Sequence, residues 1–265
     1  MTGSVITESD SHRLHEQLGV RFGHETLADV IAGAFRNIHA PVFYITCNLN
    51  HLRVLQSDME FREAYRKATL ITLDSRPVQV ISRVCFGEDV PLITGADLFD
   101  ALFRQMRSSR DRPFFICSSD DTGNRLRQNL LGRGFAPDSV AFYSPPFNFE
   151  HDADCNEMIL AQIRKHNTTH LFLGVGAPKS ENWVAQHLSD LPAAHIFCVG
   201  MALDFTAGLK KRAPSWLRSS GLEWLHRLSS EPGRLAPRYA GDAVIFARIL
   251  IGQKLVQVFL PAWKK

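Results

Sequence analysis

The stretch HLFLGVGAPKSENW, His170 to Trp183, begins as a short apolar run and ends in a helical pattern that starts at Pro178. Four to six apolar residues, then glycines, then an amphipathic segment form the repeating unit of a parallel sheet crossed by helices. The same unit recurs on both sides: VFYITC (42–47) before 49–67, LITL (70–73) before 76–85, and FFICS (114–118) before 122–132. VAFY (140–143) precedes 154–166, and HIFCVG (195–200) closes the series. The order predicts an α/β fold: a Rossmann-like, mostly parallel sheet over roughly residues 20–209.

After Gly208 the alternation stops, and helical patterns rich in basic residues continue to the end. The chain divides on this reading into a catalytic domain, 1–209, and a C-terminal helical appendage, 210–265. Formal net charge is +3 overall, yet residues 210–265 hold 11 Lys/Arg against 3 Asp/Glu, so the appendage is +8 and the body −5. That asymmetry points the appendage at an anionic partner, whether lipid head groups, a diphosphate or nucleic acid; a solvated basic face is the plain alternative.

The segment VIFARILIGQKLVQVFL (244–260) is strongly apolar but carries Arg248, Gln253, Lys254 and Gln257. It is short of the roughly 20 residues of a spanning helix. Ile245, Ile249, Gly252, Val256 and Phe259 share one helical face, and Pro261-Ala-Trp263-Lys-Lys suits an interfacial anchor. Two readings stand: a helix lying on a membrane, or one packed on the body or on a second copy in a homo-oligomer.

Composition narrows the rest. Hydrophobic residues at 45% and charged ones at 22% describe an ordinary globular chain. The five cysteines (47, 85, 117, 155, 198) are odd in number and show no CxxC spacing, as expected of reduced buried thiols. The first residues lack a basic segment followed by an apolar core, so the expected compartment is the cytoplasm. There is no HExxH, no Cys/His metal spacing and no Gly-x-Ser-x-Gly elbow. Asp152-Ala-Asp154 has a metal-diphosphate form, but in the loop HDADCNE it reads as a helix cap, and no metal or other cofactor is expected.

Ligands of open parallel sheets bind beyond the carboxyl ends of the strands. Thr46, Cys47 and Asn48 end the first strand there. Asp74 follows LITL and is either a general base or the cap of the helix containing Pro77. In GVGAPKSENW, the amides near Gly176 and the Lys179 ammonium can hold phosphate or the polar edge of a nucleotide. Asp204, in GMALDFTAG, ends the last strand, where a turn or cap is the plain reading.

These residues, in this order, make the chain resemble the WecG/TagA/CpsF family of glycosyltransferases. The match runs from Thr46-Cys-Asn48 through Asp74, Thr94-Gly-Ala-Asp97, Gly174-Val-Gly-Ala-Pro-Lys179 with Glu181, and Asp204-Phe-Thr-Ala-Gly208. It continues through Lys211-Arg-Ala-Pro214-Ser-Trp216, Gly221-Leu-Glu-Trp-Leu-His-Arg-Leu228 and Glu231-Pro-Gly-Arg234 to Arg238-Tyr239, the C-terminal block being the most specific piece.

The resemblance implies an inverting, metal-independent transfer from a UDP-sugar to a polyprenyl-diphosphate-linked saccharide at the inner membrane surface, in exopolysaccharide or surface-polymer synthesis. It implies Asp74 as base, with Thr46, Asn48, Gly176, Lys179, Ser180, Glu181 and Asp204 along the substrate. It nominates Arg212, Arg227 and Arg234 as diphosphate contacts, with Arg218 and Arg238 behind them. Ser75 stands where the family usually has glycine and Ser180 where it has glutamine, so an amide donor is lost from the sugar site, and a hexose such as glucose joins N-acetylhexosamines as a donor sugar.

Two other classes compete. A nicotinamide-dependent oxidoreductase needs a glycine-rich first βα turn, and none follows VFYITC before Gly87. A non-enzymatic membrane- or nucleic-acid-binding module would use the tail alone; the enzyme reading expects no nucleic acid.

Overall fold

The computed structural model describes residues 20–219 and 223–259, the side chains of residues 215, 219, 234 and 252–259 excepted. Six strands form one sheet: β1 (Val42–Cys47), β2 (Leu70–Leu73), β3 (Pro113–Ile116), β4 (Ala141–Tyr143), β5 (His170–Leu173) and β6 (His195–Cys198). Their order is β2-β1-β6-β5-β3-β4, and every pairing is parallel. The helices preceding and crossing the sheet are α1 (Leu27–Ala34), α2 (Leu49–Val54), α3 (Met59–Lys67), α4 (Arg76–Phe86), α5 (Gly95–Gln105), α6 (Asp120–Gly132), α7 (Ala153–Lys165), α8 (Lys179–His187) and α9 (Ala202–Thr206). A 3-10 turn, Phe149–His151, precedes α7. The C-terminal part holds α10 (Ser215–Ser219), α11 (Glu223–Ser230) and α12 (Pro232–Phe259).

The expected α/β architecture is present, and the sheet is wholly parallel. Two elements depart from the pattern read in the sequence. The helical stretch 49–67 is two helices, because Asp58 accepts from Phe61 N (2.9 Å) and starts a new one. Helix α5 has no counterpart in the simple alternation; Thr94 caps it, its hydroxyl accepting from Asp97 N at 3.1 Å.

Strand residues alternate between two apolar layers, as the pleat requires. Phe43, Ile45 and Cys47 enter one layer, and Tyr44 enters the other. In the second layer four rings stand in register across β3-β5-β6-β1. Phe115 stacks on Phe172 (5.6 Å), Phe172 on Phe197 (5.2 Å), and Phe197 on Tyr44 (4.4 Å). Each buried ring stabilises the fold by roughly 1.5–3 kcal/mol through burial, and offset stacking adds about 0.5–1.5 kcal/mol per pair. This ladder holds the strands whose carboxyl ends carry the site.

Helix α12 packs on α2 and α4. Leu235 and Ile245 are buried, and Phe246, Ile249 and Leu250 lie against the core layer. Arg53 Nε on α2 donates to Asp242 Oδ1 at 3.2 Å. The first part of the apolar stripe, Ile245 and Ile249, is thus used in packing on the body, while Val244 and Ile251 face outward. The side chains of Gly252, Val256 and Phe259, and the Pro261–Lys265 segment, lie outside the described residues. Among the described residues no helix is long and apolar enough to cross a membrane.

Candidate active site

Asp74 stands at the carboxyl end of β2, and its N–H donates to Cys47 O at the end of β1 (2.7 Å). The capping alternative for Asp74 does not hold: Ser75 is the cap of α4, its Oγ accepting from Val78 N at 3.4 Å. The Asp74 carboxyl is therefore not spent on the helix start. Protein surrounds it, although part of its surface stays reachable by water. Burial pushes its pKa up to about 7, against the pull of Arg227, the N–H of Gly95 and Arg212; Glu223 pushes the same way as burial. A carboxyl poised there can accept a proton at neutral pH.

Gly95 links Asp74 to the rest of the site. A Cβ at this position would come within 3.0 Å of Thr46 Oγ1 and 3.3 Å of Val199 O, so α5 starts in contact with the ends of β1 and β6. Thr46 is buried, and its hydroxyl donates to Cys198 O at 3.2 Å. Asn48 caps α2, its Oδ1 accepting from His51 N at 3.3 Å. Beneath that turn, His51 Nδ1 and Tyr65 OH are 2.8 Å apart and both buried.

Neighbouring β3 and β5 send their connections opposite ways, β3 outward to β4 and β5 inward to β6, which makes their carboxyl ends the switch point of the sheet, the place where open α/β folds bind ligands. Gly176 (φ 90°) lies on the loop after β5 in a conformation glycine adopts without strain. Ser180 is buried and donates to Gly176 O at 3.3 Å. Lys179 pairs with Glu150 (2.9 Å) and sits 4.2 Å from the centre of the exposed Phe147 ring. Glu181 is buried, its Oε2 has no hydrogen-bond partner, and burial raises its pKa to about 7. Asp204 accepts from Thr122 Oγ1 (2.7 Å) and Ser118 Oγ (3.4 Å), which fixes α9 to the end of β3.

The C-terminal segment closes over the Asp74 side. Arg212 donates to Asp97 Oδ1 (2.6 Å) and Thr94 Oγ1 (3.1 Å), with Glu223 at 3.6 Å. Arg218 lies 3.4 Å from the same Asp97 oxygen. Burial would raise the pKa of Asp97, but hydrogen bonds from Arg212 and Thr94 outweigh it and hold the carboxyl ionised. Arg227 faces Met201 Sδ (3.5 Å) and the Phe205 ring (5.9 Å); its Nε is buried without a hydrogen-bond partner.

Arg212 and Arg227 are thus gathered near Asp74; Lys179 and Ser180 open α8 after β5, Glu181 lies close enough to Cys47 and Cys198, at the ends of β1 and β6, to raise their pKa values, and Asp204 is tied to the end of β3. The Arg234 side chain lies outside the described residues, and Arg238 stands 3.8 Å from Asp242, towards α2. Gly95, Asp97 and Glu223 are site residues that the sequence reading names only as parts of the matched motifs and not as contacts. Asp152 is the cap it was read as, accepting from Cys155 N at 3.0 Å.

A doubly wound parallel sheet, with a carboxyl whose pKa lies near 7 at one strand end and arginines folded over it, has the form of an α/β enzyme site. The WecG/TagA/CpsF glycosyl transferase family model matches residues 16–258, and the chain belongs to that glycosyltransferase family. It is also similar to a protein of Staphylococcus aureus (strain MRSA252) named N-acetylglucosaminyldiphosphoundecaprenol N-acetyl-beta-D-mannosaminyltransferase. That relative is 24% identical over 214 residues, covering 79% of this chain and 82% of the relative. The protein of the same name from strain NCTC 8325 / PS 47 is 23% identical over the same shares.

Proposed function

We propose that the protein moves a sugar from a UDP-sugar to a polyprenyl-diphosphate-linked saccharide, with inversion at the sugar carbon. The observation that carries this reading is the Asp74 carboxyl, held at a strand end with a pKa of about 7 and facing Arg227 and Arg212. An acceptor hydroxyl gives its proton to Asp74 as its oxygen attacks the anomeric carbon; the bond from that carbon to the diphosphate breaks, and UDP departs. One displacement inverts the centre.

Guanidinium groups suit the charge that grows on the leaving diphosphate, because each can hold two oxygens at once. Arg227, whose Nε has no protein partner, is the first such group, and Arg212 the second. Three strand spacings separate β2 from β5, about 14 Å at about 4.8 Å each. That span suits an extended sugar nucleotide with its sugar near Asp74 and Asn48 and its nucleoside towards Gly176, Lys179, Ser180, Glu181 and Asp204.

The names of the relatives support a lipid-linked acceptor. Residues 210–265 form the appendage of this reading, completing the site and placing it at the inner face of the plasma membrane, where surface polymers are begun; their +8 charge suits anionic lipid. The test is a screen of UDP-glucose, UDP-N-acetylglucosamine and UDP-N-acetylmannosamine against a synthetic polyprenyl-diphosphate monosaccharide. Transfer of one sugar with inversion is expected; absence of transfer from all UDP-sugars in the presence of membranes contradicts the reading.

A further inference from the structure

Among the described residues Phe147 is the most exposed large apolar side chain, at 86% against 65% for Trp216. It sits in Ser144-Pro-Pro-Phe-Asn148, the connection from the carboxyl end of β4 to the 3-10 turn. The loop around it is anchored on both sides. Tyr143 O accepts from Cys117 N at 2.9 Å, and the prolines 145 and 146 have φ locked by their rings. Phe149 is buried, and its N–H donates to Pro146 O at 3.3 Å. Asn148 holds a left-handed backbone (φ 64°), which asparagine adopts more readily than most residues. An apolar ring left in water gains nothing from burial, so what orients this one lies elsewhere.

It is Lys179. The ammonium stands 4.2 Å from the ring centre, 2.9 Å from Glu150 Oε1 and 3.4 Å from Asn148 Oδ1. Two oxygens and a ring face account for its three N–H groups, and Glu150 balances its charge. One face of Phe147 is thereby held by the cation, and the exposure of the ring leaves the other to solvent. Lys179 opens α8 directly after the Gly176 loop of β5, so the ring is fixed beside the β3–β5 switch point. It lies on the β4 side of the sheet, away from β2 and Asp74.

A sugar nucleotide has three parts to place. On the reading of the donor as a UDP-sugar, on which this inference rests, the sugar lies at Asp74 and the diphosphate at the arginines, both towards β2. The nucleobase is left for the far side, and it is the planar, π-faced part, the one a preset aromatic face suits best. We propose that Phe147 is the stacking platform for the nucleobase of the donor, held ready by Lys179. Because every base has a π-face, the ring contributes affinity for the base and not the choice of uracil.

The experiment measures binding of UDP and, separately, of inorganic diphosphate to the full chain by calorimetry, for the wild type, Phe147→Ala and Phe147→Trp. Phe147→Ala is expected to bind UDP at least about five-fold more weakly than the wild type, with its affinity for inorganic diphosphate unchanged. Phe147→Trp is expected to keep the UDP affinity, and its added indole fluorescence is quenched by UDP and not by inorganic diphosphate. Equal UDP affinity in the wild type and Phe147→Ala overturns the proposal and leaves the transferase reading standing. A loss shared equally by inorganic diphosphate also overturns it, since the loop and not the ring is then responsible. Failure of the wild type to bind UDP overturns the donor reading and the proposal together, and the wild-type arm alone reveals it.

Discussion

Arg212 donates to Asp97 Oδ1 at 2.6 Å, and so a residue of the C-terminal segment beyond α9 is bonded to the first turn of α5, whose Gly95 N–H contacts the Asp74 carboxyl. The C-terminal segment is in this way part of the acid's surroundings. Arg212→Ala should leave Asp97 partly buried and without its main partner, lower kcat by a factor on the order of 10–100, and make the segment after Gly208 more open to limited proteolysis. Arg212→Lys should rescue little, since an ammonium does not reproduce the fork that meets Asp97 and Thr94. Wild-type turnover in Arg212→Ala would mean the pair is only a surface contact.

Gly95→Ala tests the closeness of α5 to the strand ends. The added methyl meets Thr46 Oγ1 at 3.0 Å and the Val199 carbonyl at 3.3 Å. Either the hydroxyl turns or the helix start moves, and movement displaces the N–H that faces Asp74. The expected outcome is a fall in kcat greater than any rise in KM, with Tm lowered by a few degrees; unchanged kinetics would show that the contact relaxes without reaching the acid.

At the opposite ends of the strands, His170 Nε2 and His195 Nε2 bond to the carbonyls of Ala34 and Arg36, and the two rings stack at 5.6 Å. Burial lowers the pKa of both, that of His170 from 6.5 to about 4. A histidine held neutral by the fold contributes stability that is fully present above its unfolded pKa of 6.5 and is lost as pH falls from there towards 4. The loss is about 1.4 kcal/mol for each unit of difference. Because the raised carboxyls Asp74 and Glu181 act with the opposite sign over the same window, the loss is read as a difference: in urea unfolding the wild type should lose stability relative to His170→Phe between pH 7 and pH 5, and a difference between the two that does not change over that window would contradict this.

Divalent cations should be dispensable. The Asp152 carboxylate of the only D-x-D sequence accepts from Cys155 N, and the diphosphate charge is assigned to arginines instead. Activity should persist in excess EDTA. Loss that manganese restores would overturn that assignment.

Much of this was legible along the chain, for definite reasons. Each strand is a run of three to six mostly apolar residues read on both faces, so all six announced themselves, and the Asp152 cap followed from its place before α7. Position alone left Asp74 between base and cap, because Ser75 beside it is as good a cap; only the Ser75 to Val78 bond decides. Asp97 was read as part of a motif and not as a contact, since its partner Arg212 is 115 positions away in sequence. The 245–251 segment is apolar on nearly every side, so its periodicity could not say whether Ile245 and Ile249 met lipid or the body; packing on α2 and α4 gives the second answer for those two.

The central claim is that Asp74 takes the proton of the acceptor. Its most direct test is the pH dependence of kcat/KM for the wild type and Asp74→Asn, measured with the UDP-sugar that supports transfer. For the wild type an acid limb with an apparent pKa of about 7 is predicted, activity rising as the carboxyl ionises. In Asp74→Asn that limb should vanish and the rate should fall by a factor on the order of 100 or more, while Tm is kept, because the amide fills the same space without a buried charge. A mutant with near wild-type rates and an unaltered acid limb would contradict the account.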